Sequence, residues 1–148
     1  MEMPELKLPL NVHDIEACIP HRYPFLLIDR VIALTPNESV VALKSISGSD
    51  PILQGHFPGN PVYPGVLLVE GMAQTSAVLG LYSSGKPFDH VLLTEIEKVR
   101  FRQKVEPGVV LRYEVKLEKR RGHFFWFTGE AKVNDELVAH VTFSALMK

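Results

Sequence analysis

The chain has 148 residues, 46% of them hydrophobic and 22% charged, with a formal net charge of -1. That size predicts one domain, residues 1–148, burying a core of its own, and the near-neutral charge excludes the global basic field that holds a protein on nucleic acid or an anionic membrane. Cys18 is the only cysteine, which excludes an intrachain disulfide framework and fits a reducing compartment such as the cytoplasm.

The opening MEMPELKLPLN lacks the basic start and unbroken apolar run of a secretory signal. Asn11 is placed to cap a short helix to about Ile19, with Ile15, Cys18 and Ile19 as its apolar stripe and Pro20 as its stop. Two strand-like runs follow, FLLIDRVIAL from Phe25 and SVVALKSI from Ser39, with Pro36 and Asn37 turning between them. GHFPGNPVYPG, residues 55–65, is a loop of restricted conformation, because each proline fixes its own φ and biases its predecessor toward extended geometry.

Val66 to Leu81 is apolar on nearly every face, the pattern of a helix wrapped by protein. Glu70, Gln74, Thr75 and Ser76 interrupt it, and it falls short of the ~20 mainly apolar residues of a membrane span. Further on the period becomes two: Leu111, Tyr113, Val115 and Leu117 alternate with Arg112, Glu114, Lys116 and Glu118. RRGH at 120–123 and VNDE at 133–136 supply tight turns, giving a meander of three long strands. The expected class is α+β, with an antiparallel sheet curled around one long helix.

Glu70 is the anomaly of that helix, since an ionised carboxylate among Val66, Leu67, Val69, Met72 and Ala73 is costly to desolvate. Gln74, one turn on, can hydrogen-bond it. A buried structural carboxylate explains Glu70 equally well until a second titratable group is found nearby. His56, held among Pro58, Pro61 and Pro64, is the candidate, and Gly65 opens the helix with free N–H groups and a positive dipole end that suit an oxygen gaining negative charge. A base, an acid and an oxyanion donor thus lie within one short stretch.

GHFPGNPVYPGVLLVEGMAQ closely resembles the signature of the FabZ-type 3-hydroxyacyl-acyl-carrier-protein dehydratases, and PHRYPFLLIDRV (20–31) and KVRFRQKVEPG (98–108) extend the resemblance over nearly the whole chain. The resemblance implies a hot-dog fold, with His56 and Glu70 as catalytic residues. It also implies that the Val62 carbonyl accepts from the His56 ring, that the Gly65 N–H binds the thioester oxygen and that Gln74 supports the carboxyl. Tyr63 and Phe57 complete the expected substrate-binding set. Tyr63 replaces a more usual methionine and Val109 a common aspartate.

The implied reaction removes water from a (3R)-hydroxyacyl thioester, with His56 taking the C2 proton and Glu70 protonating the C3 hydroxyl. The implied partners are an acidic acyl carrier protein and further copies of the chain, as a homodimer and a trimer of dimers. Lys98, Arg100, Arg102 and Lys104, read as one strand face, with Arg120 and Arg121, are the expected carrier-docking residues. A merely solvated edge would carry the same charges. No cofactor or metal is expected, because the six histidines contain no i,i+3 or i,i+4 pair and Cys18 completes no zinc site of ordinary spacing. Phe124, Phe125, Trp126 and Phe127 read as packing on both faces of a strand rather than a base-stacking platform. A hot-dog acyl thioesterase, or a non-catalytic acyl-binding module, remains as the alternative.

Overall fold

The computed structural model describes residues 3–148; Met1 and Glu2, the start of the segment read for an export signal, lie outside the described residues. In chain order the elements are α1 (Val12–Cys18), β1 (Arg30–Thr35), β2 (Ser39–Ser45), α2 (Ile52–Gly55), α3 (Gly65–Ser84), β3 (Val91–Phe101), β4 (Val110–Arg121), β5 (Phe124–Val133) and β6 (Glu136–Met147). The six strands form one antiparallel sheet in the order β1-β2-β4-β5-β6-β3, with α3 packed against its concave face. This is the hot-dog arrangement.

Local chemistry explains most boundaries. Asn11 and Asp14 form a reciprocal cap at the start of α1, each side chain accepting from the other's backbone N–H, at 3.0 and 2.9 Å. The β5–β6 hairpin turns on Asn134 and Asp135, both at positive φ, as a two-residue loop matched to strand twist requires. Gly85, left-handed at φ 72°, closes α3 by donating to Leu81 O at 3.0 Å.

Alternation along β4 is as the sequence indicates: Leu111, Tyr113 and Val115 are buried against α3 while their neighbours face outward. Phe125 and Phe127 join them in the core, whereas Phe124 and Trp126 lie on the convex side. At 20 residues α3 is long and apolar enough to cross a membrane, contrary to the length argument, but most of its apolar stretch is buried under the sheet. The first strand begins at Arg30, not Phe25, because residues 25–27 give their backbone groups to a side chain of α3 instead of to the ladder.

Helix and sheet meet closely enough to demand glycine. A Cβ on Gly71 would stand 2.6 Å from the Tyr113 hydroxyl and 2.7 Å from its ring, and Tyr113 is fully buried. Gly71→Ala is therefore expected to cost about 1–3 kcal/mol by denaturant unfolding, the usual penalty of overpacking. Gly48→Ala, whose Cβ would find nothing nearer than 4.0 Å, should change stability by less than about 0.5 kcal/mol.

Candidate active site

His56 follows directly on α2, and the backbone of Val62 grips it twice. Val62 N donates to His56 O at 2.9 Å, and Val62 O lies 2.6 Å from His56 Nδ1. A carbonyl only accepts, so Nδ1 carries a proton, and in the neutral tautomer Nε2 is the basic nitrogen. The Phe57 ring stacks on the imidazole with centroids 4.0 Å apart, and paired hydrogen bonds between Phe57 and Asn60 close the loop beneath.

Gly65 is the first residue of α3, whose start has no side-chain cap, leaving N–H groups for an incoming anion. A Cβ there would come within 2.9 Å of the Phe101 ring. His56, Val62 and Gly65 line one cavity of about 490 Å³ with Phe101, Arg102 and Lys104. Tyr63, 2% exposed, stands between it and a second cavity of about 590 Å³ bordered by Tyr23, Phe25 and Leu67. Burial pushes the Tyr63 and Tyr113 phenols well above their ordinary range, so both stay protonated.

Glu70 does not open into the His56 cavity. It lines a separate space of about 150 Å³ with His21, Gln74, Leu93 and Ala145. Gln74 is 1% exposed and uses its amide three times: Nε2 donates to Glu70 Oε1 at 3.0 Å and to Phe25 O at 2.8 Å, and Oε1 accepts from Leu27 N at 2.8 Å. His21 Nε2 lies 3.7 Å from Glu70 Oε1. Burial holds the His21 pKa below its ordinary 6.5, outweighing the opposing pull of Glu70. Sequence reasoning passes over His21, although it lies in the PHRYPFLLIDRV run that enters above as part of the family resemblance.

The basic residues divide into separate groups. β3 ends at Phe101, so Arg102 and Lys104 belong to the following loop, at the His56 cavity, while Lys98 and Arg100 remain on the convex face of the strand. The single strand face expected for all four is thus broken where the ladder stops. Arg120 and Arg121 sit far along the sheet: Arg100 aligns with His140 and Arg120, through Phe125, with Ala145, about 17 Å apart along β6. Arg120 lies over the Phe125 ring and reaches Ser83 O near the end of α3. Among the described residues no three His, Cys, Asp or Glu side chains gather as metal ligands do.

Residues 19–142 match the FabA-like domain. A 3-hydroxyacyl-[acyl-carrier-protein] dehydratase FabZ of Rhizorhabdus wittichii is 44% identical, covering 99% of this chain and 94% of the relative. The chain belongs to the FabZ dehydratase family. The FabZ of Nitrobacter winogradskyi is 43% identical, with 99% of each chain covered. Among solved structures, the dehydratase heterocomplex ApeI:P from Xenorhabdus doucetiae superposes with a TM-score of 0.80 at 20% identity, covering 97% of this chain and 93% of that one. A hypothetical thioesterase with coenzyme A from Streptococcus pneumoniae gives 0.63 at 12% identity, covering 80% and 84%. Likeness at these identities concerns the fold.

The Gln74 amide sets a measurable stability term. Gln74→Leu strands the Leu27 N–H and the Phe25 carbonyl, and should cost about 2–6 kcal/mol, the sum of two unsatisfied polar groups. Urea unfolding of the variant, with the m-value unchanged, checks it.

Proposed function

We propose that the chain, acting as one domain, converts (3R)-hydroxyacyl-acyl-carrier-protein to trans-2-enoyl-acyl-carrier-protein, the reaction named for its FabZ relatives. Neutral His56 takes the C2 proton on Nε2 while Gly65 N–H, at the positive end of α3, holds the thioester oxygen as it gains charge. The C2 electron pair forms the double bond, the C3–O bond breaks, and Glu70 gives its proton to the departing hydroxyl. Water leaves and the thioester stays intact. The scheme uses no metal or organic cofactor.

One observation carries this reading: the two halves of the site lie at opposite ends of an open strand. The His56 cavity borders Phe101 at the end of β3, and the Glu70 cavity borders Val91 to Leu93 at its start. β3 is an edge strand with Ile96, Val99 and Phe101 about half exposed, whereas the other edge, β1, is partly covered by the Leu10–Val31 bridge. Antiparallel pairing of two β3 edges sets the start of one beside the end of the other. Glu70 of one subunit then faces His56 of the second across the interface, and three such dimers can assemble further. A soluble cytoplasmic dimer fits the single partly buried cysteine.

Incubation with 3-hydroxyacyl carrier protein should give a product lighter by one water with its thioester intact; release of free thiol would mean hydrolysis instead. His56→Ala and Glu70→Gln should each lose at least about 100-fold in kcat. Mixing the two inactive proteins under subunit exchange should restore about a quarter of the wild-type rate, since half the dimers then hold one intact site. Failure of mixing to restore any rate would place both groups in one subunit.

Docking of an acidic carrier protein falls, in this proposal, to Arg102 and Lys104 at the cavity mouth, with Lys98 and Arg100 beside them. Charge reversal at Arg102 and Lys104 should raise KM for carrier-linked substrate about tenfold or more and leave a short thioester mimic little changed, with the difference shrinking at high salt. Arg120 and Arg121 are reversed separately, because antiparallel β3 pairing brings their end of the sheet to the side of the partner subunit's cavity, three strands in from β3.

A further inference from the structure

His21 plays no part in the proton transfers above, yet it is the ionisable side chain that faces Glu70 within its cavity. The wall from β3 and β6 is Val91, Leu92, Leu93 and Ala145, and α3 adds Ala73 and the neutral Gln74 amide. Arg22, next along the chain, donates to the Ile19, His21 and Glu16 carbonyls, and its charge adds to burial in lowering the His21 pKa. His21 Nδ1 is buried with no hydrogen-bond partner among the described residues, while Nε2 points to Glu70 Oε1 at 3.7 Å, and both side chains are about one-fifth exposed.

The two ring nitrogens are therefore unequal. A proton on Nδ1 would be a buried donor with nothing to receive it, which costs more than leaving a bare nitrogen there. A proton on Nε2 points at a carboxyl oxygen. At 3.7 Å this is too long for a hydrogen bond, but catalytic contacts of this kind tighten when substrate fills the site. The same oxygen already accepts from Gln74 Nε2 at 3.0 Å.

We propose that His21 is a positioning residue for the dehydration: with Gln74 it donates to one oxygen of Glu70, so that the other oxygen carries the proton delivered to the leaving hydroxyl. This rests on the function proposed above. The depressed His21 pKa supports it, since it favours the neutral ring, with a single N–H, near neutral pH. A cationic ring would instead pull Glu70 toward the carboxylate and remove its proton.

The test separates positioning from bulk. His21→Phe keeps a ring without the donor; kcat should fall roughly tenfold, the worth of one hydrogen bond in this setting, with KM little changed. In the pH profile of kcat/KM the alkaline limb should move and the acid limb should stay, because the contact removed is to the proton donor and not to the base. His21→Gln, whose amide reaches the position of Nε2, should recover most of the rate, and His21→Asn, one methylene shorter, should not. Should His21→Phe fail to fold, the Gln and Asn variants decide the point, and equal rates for the two overturn the proposal. So does a folded His21→Phe with wild-type kcat and both limbs in place. Nitrogen chemical shifts of His21 in the wild-type protein give a readout independent of turnover: the Nε2–H tautomer is expected near neutral pH, and an Nδ1–H tautomer refutes the assignment even if the protein proves to be an active dehydratase.

Discussion

The Gln74 side chain makes its hydrogen bonds in different directions, to Glu70 on its own helix and to Phe25 and Leu27 on the segment that crosses it. A fully buried primary amide is costly unless satisfied, so these contacts come as a set. Together they fix where residues 25–27 cross α3, and with them the preceding residues that put His21 over Glu70. They also explain why β1 starts late: the backbone of Phe25 and Leu27 is already committed when Arg30 reaches β2. The rotamer of the proposed acid and the path of the chain into the sheet are one packing problem.

The second constraint is the open edge of β3. An exposed apolar edge strand invites unwanted pairing, and this one carries devices that limit it. Bulges between Leu93 and Glu95 and between Ile96 and Lys98 break the flat register, and Glu95, Glu97, Lys98 and Arg100 place charge along it. Its concave side keeps Ile96, Val99 and Phe101 available. Such an edge resists indiscriminate addition of strands but accepts a partner with matching bulges and charges, which a second copy of the same strand supplies by symmetry. In the proposed dimer, complementary half-sites at the two ends of that strand couple assembly to chemistry.

What the sequence made legible was whatever depends on near neighbours. The Asn11 cap, the Gly65 start of α3, the alternation on β4 and the 134–135 turn each follow from residues a few positions apart, whereas the Val62 contact to His56 is implied by the family resemblance and not by spacing. Expectations that relied on distant registration fared differently. FLLIDRVIAL is apolar but for Asp29 and Arg30, yet only its end is strand, since the competing hydrogen bonds come from an amide on α3. The alternation of Lys98 to Lys104 outruns β3, which ends where Arg102 N turns to Val138 O. Arg120 and Arg121 share a charge sign with that group but not its end of the sheet, a matter of register across intervening strands. His21 carried no periodic or spacing signal because its partner lies on another element.

Tyr63 joins these levels. Its N–H donates to Val105 O at 2.8 Å, and the residue just before it supplies the carbonyl that holds the His56 ring. The placement of that carbonyl therefore depends on the loop between β3 and β4, not only on the prolines beside the histidine. A tyrosine strengthens the anchor in a way the more usual methionine would not, since its rigid ring buries a large area with fewer torsions to freeze. Its buried hydroxyl, like that of Tyr113, works against this gain, having no hydrogen-bond partner among the described residues. Burial of the ring outweighs that penalty, about 1–3 kcal/mol at most, only if the surrounding wall stays closely packed. The orientation of the proposed base thus rests on packing at Tyr63, just as the orientation of the proposed acid rests on hydrogen bonding at Gln74.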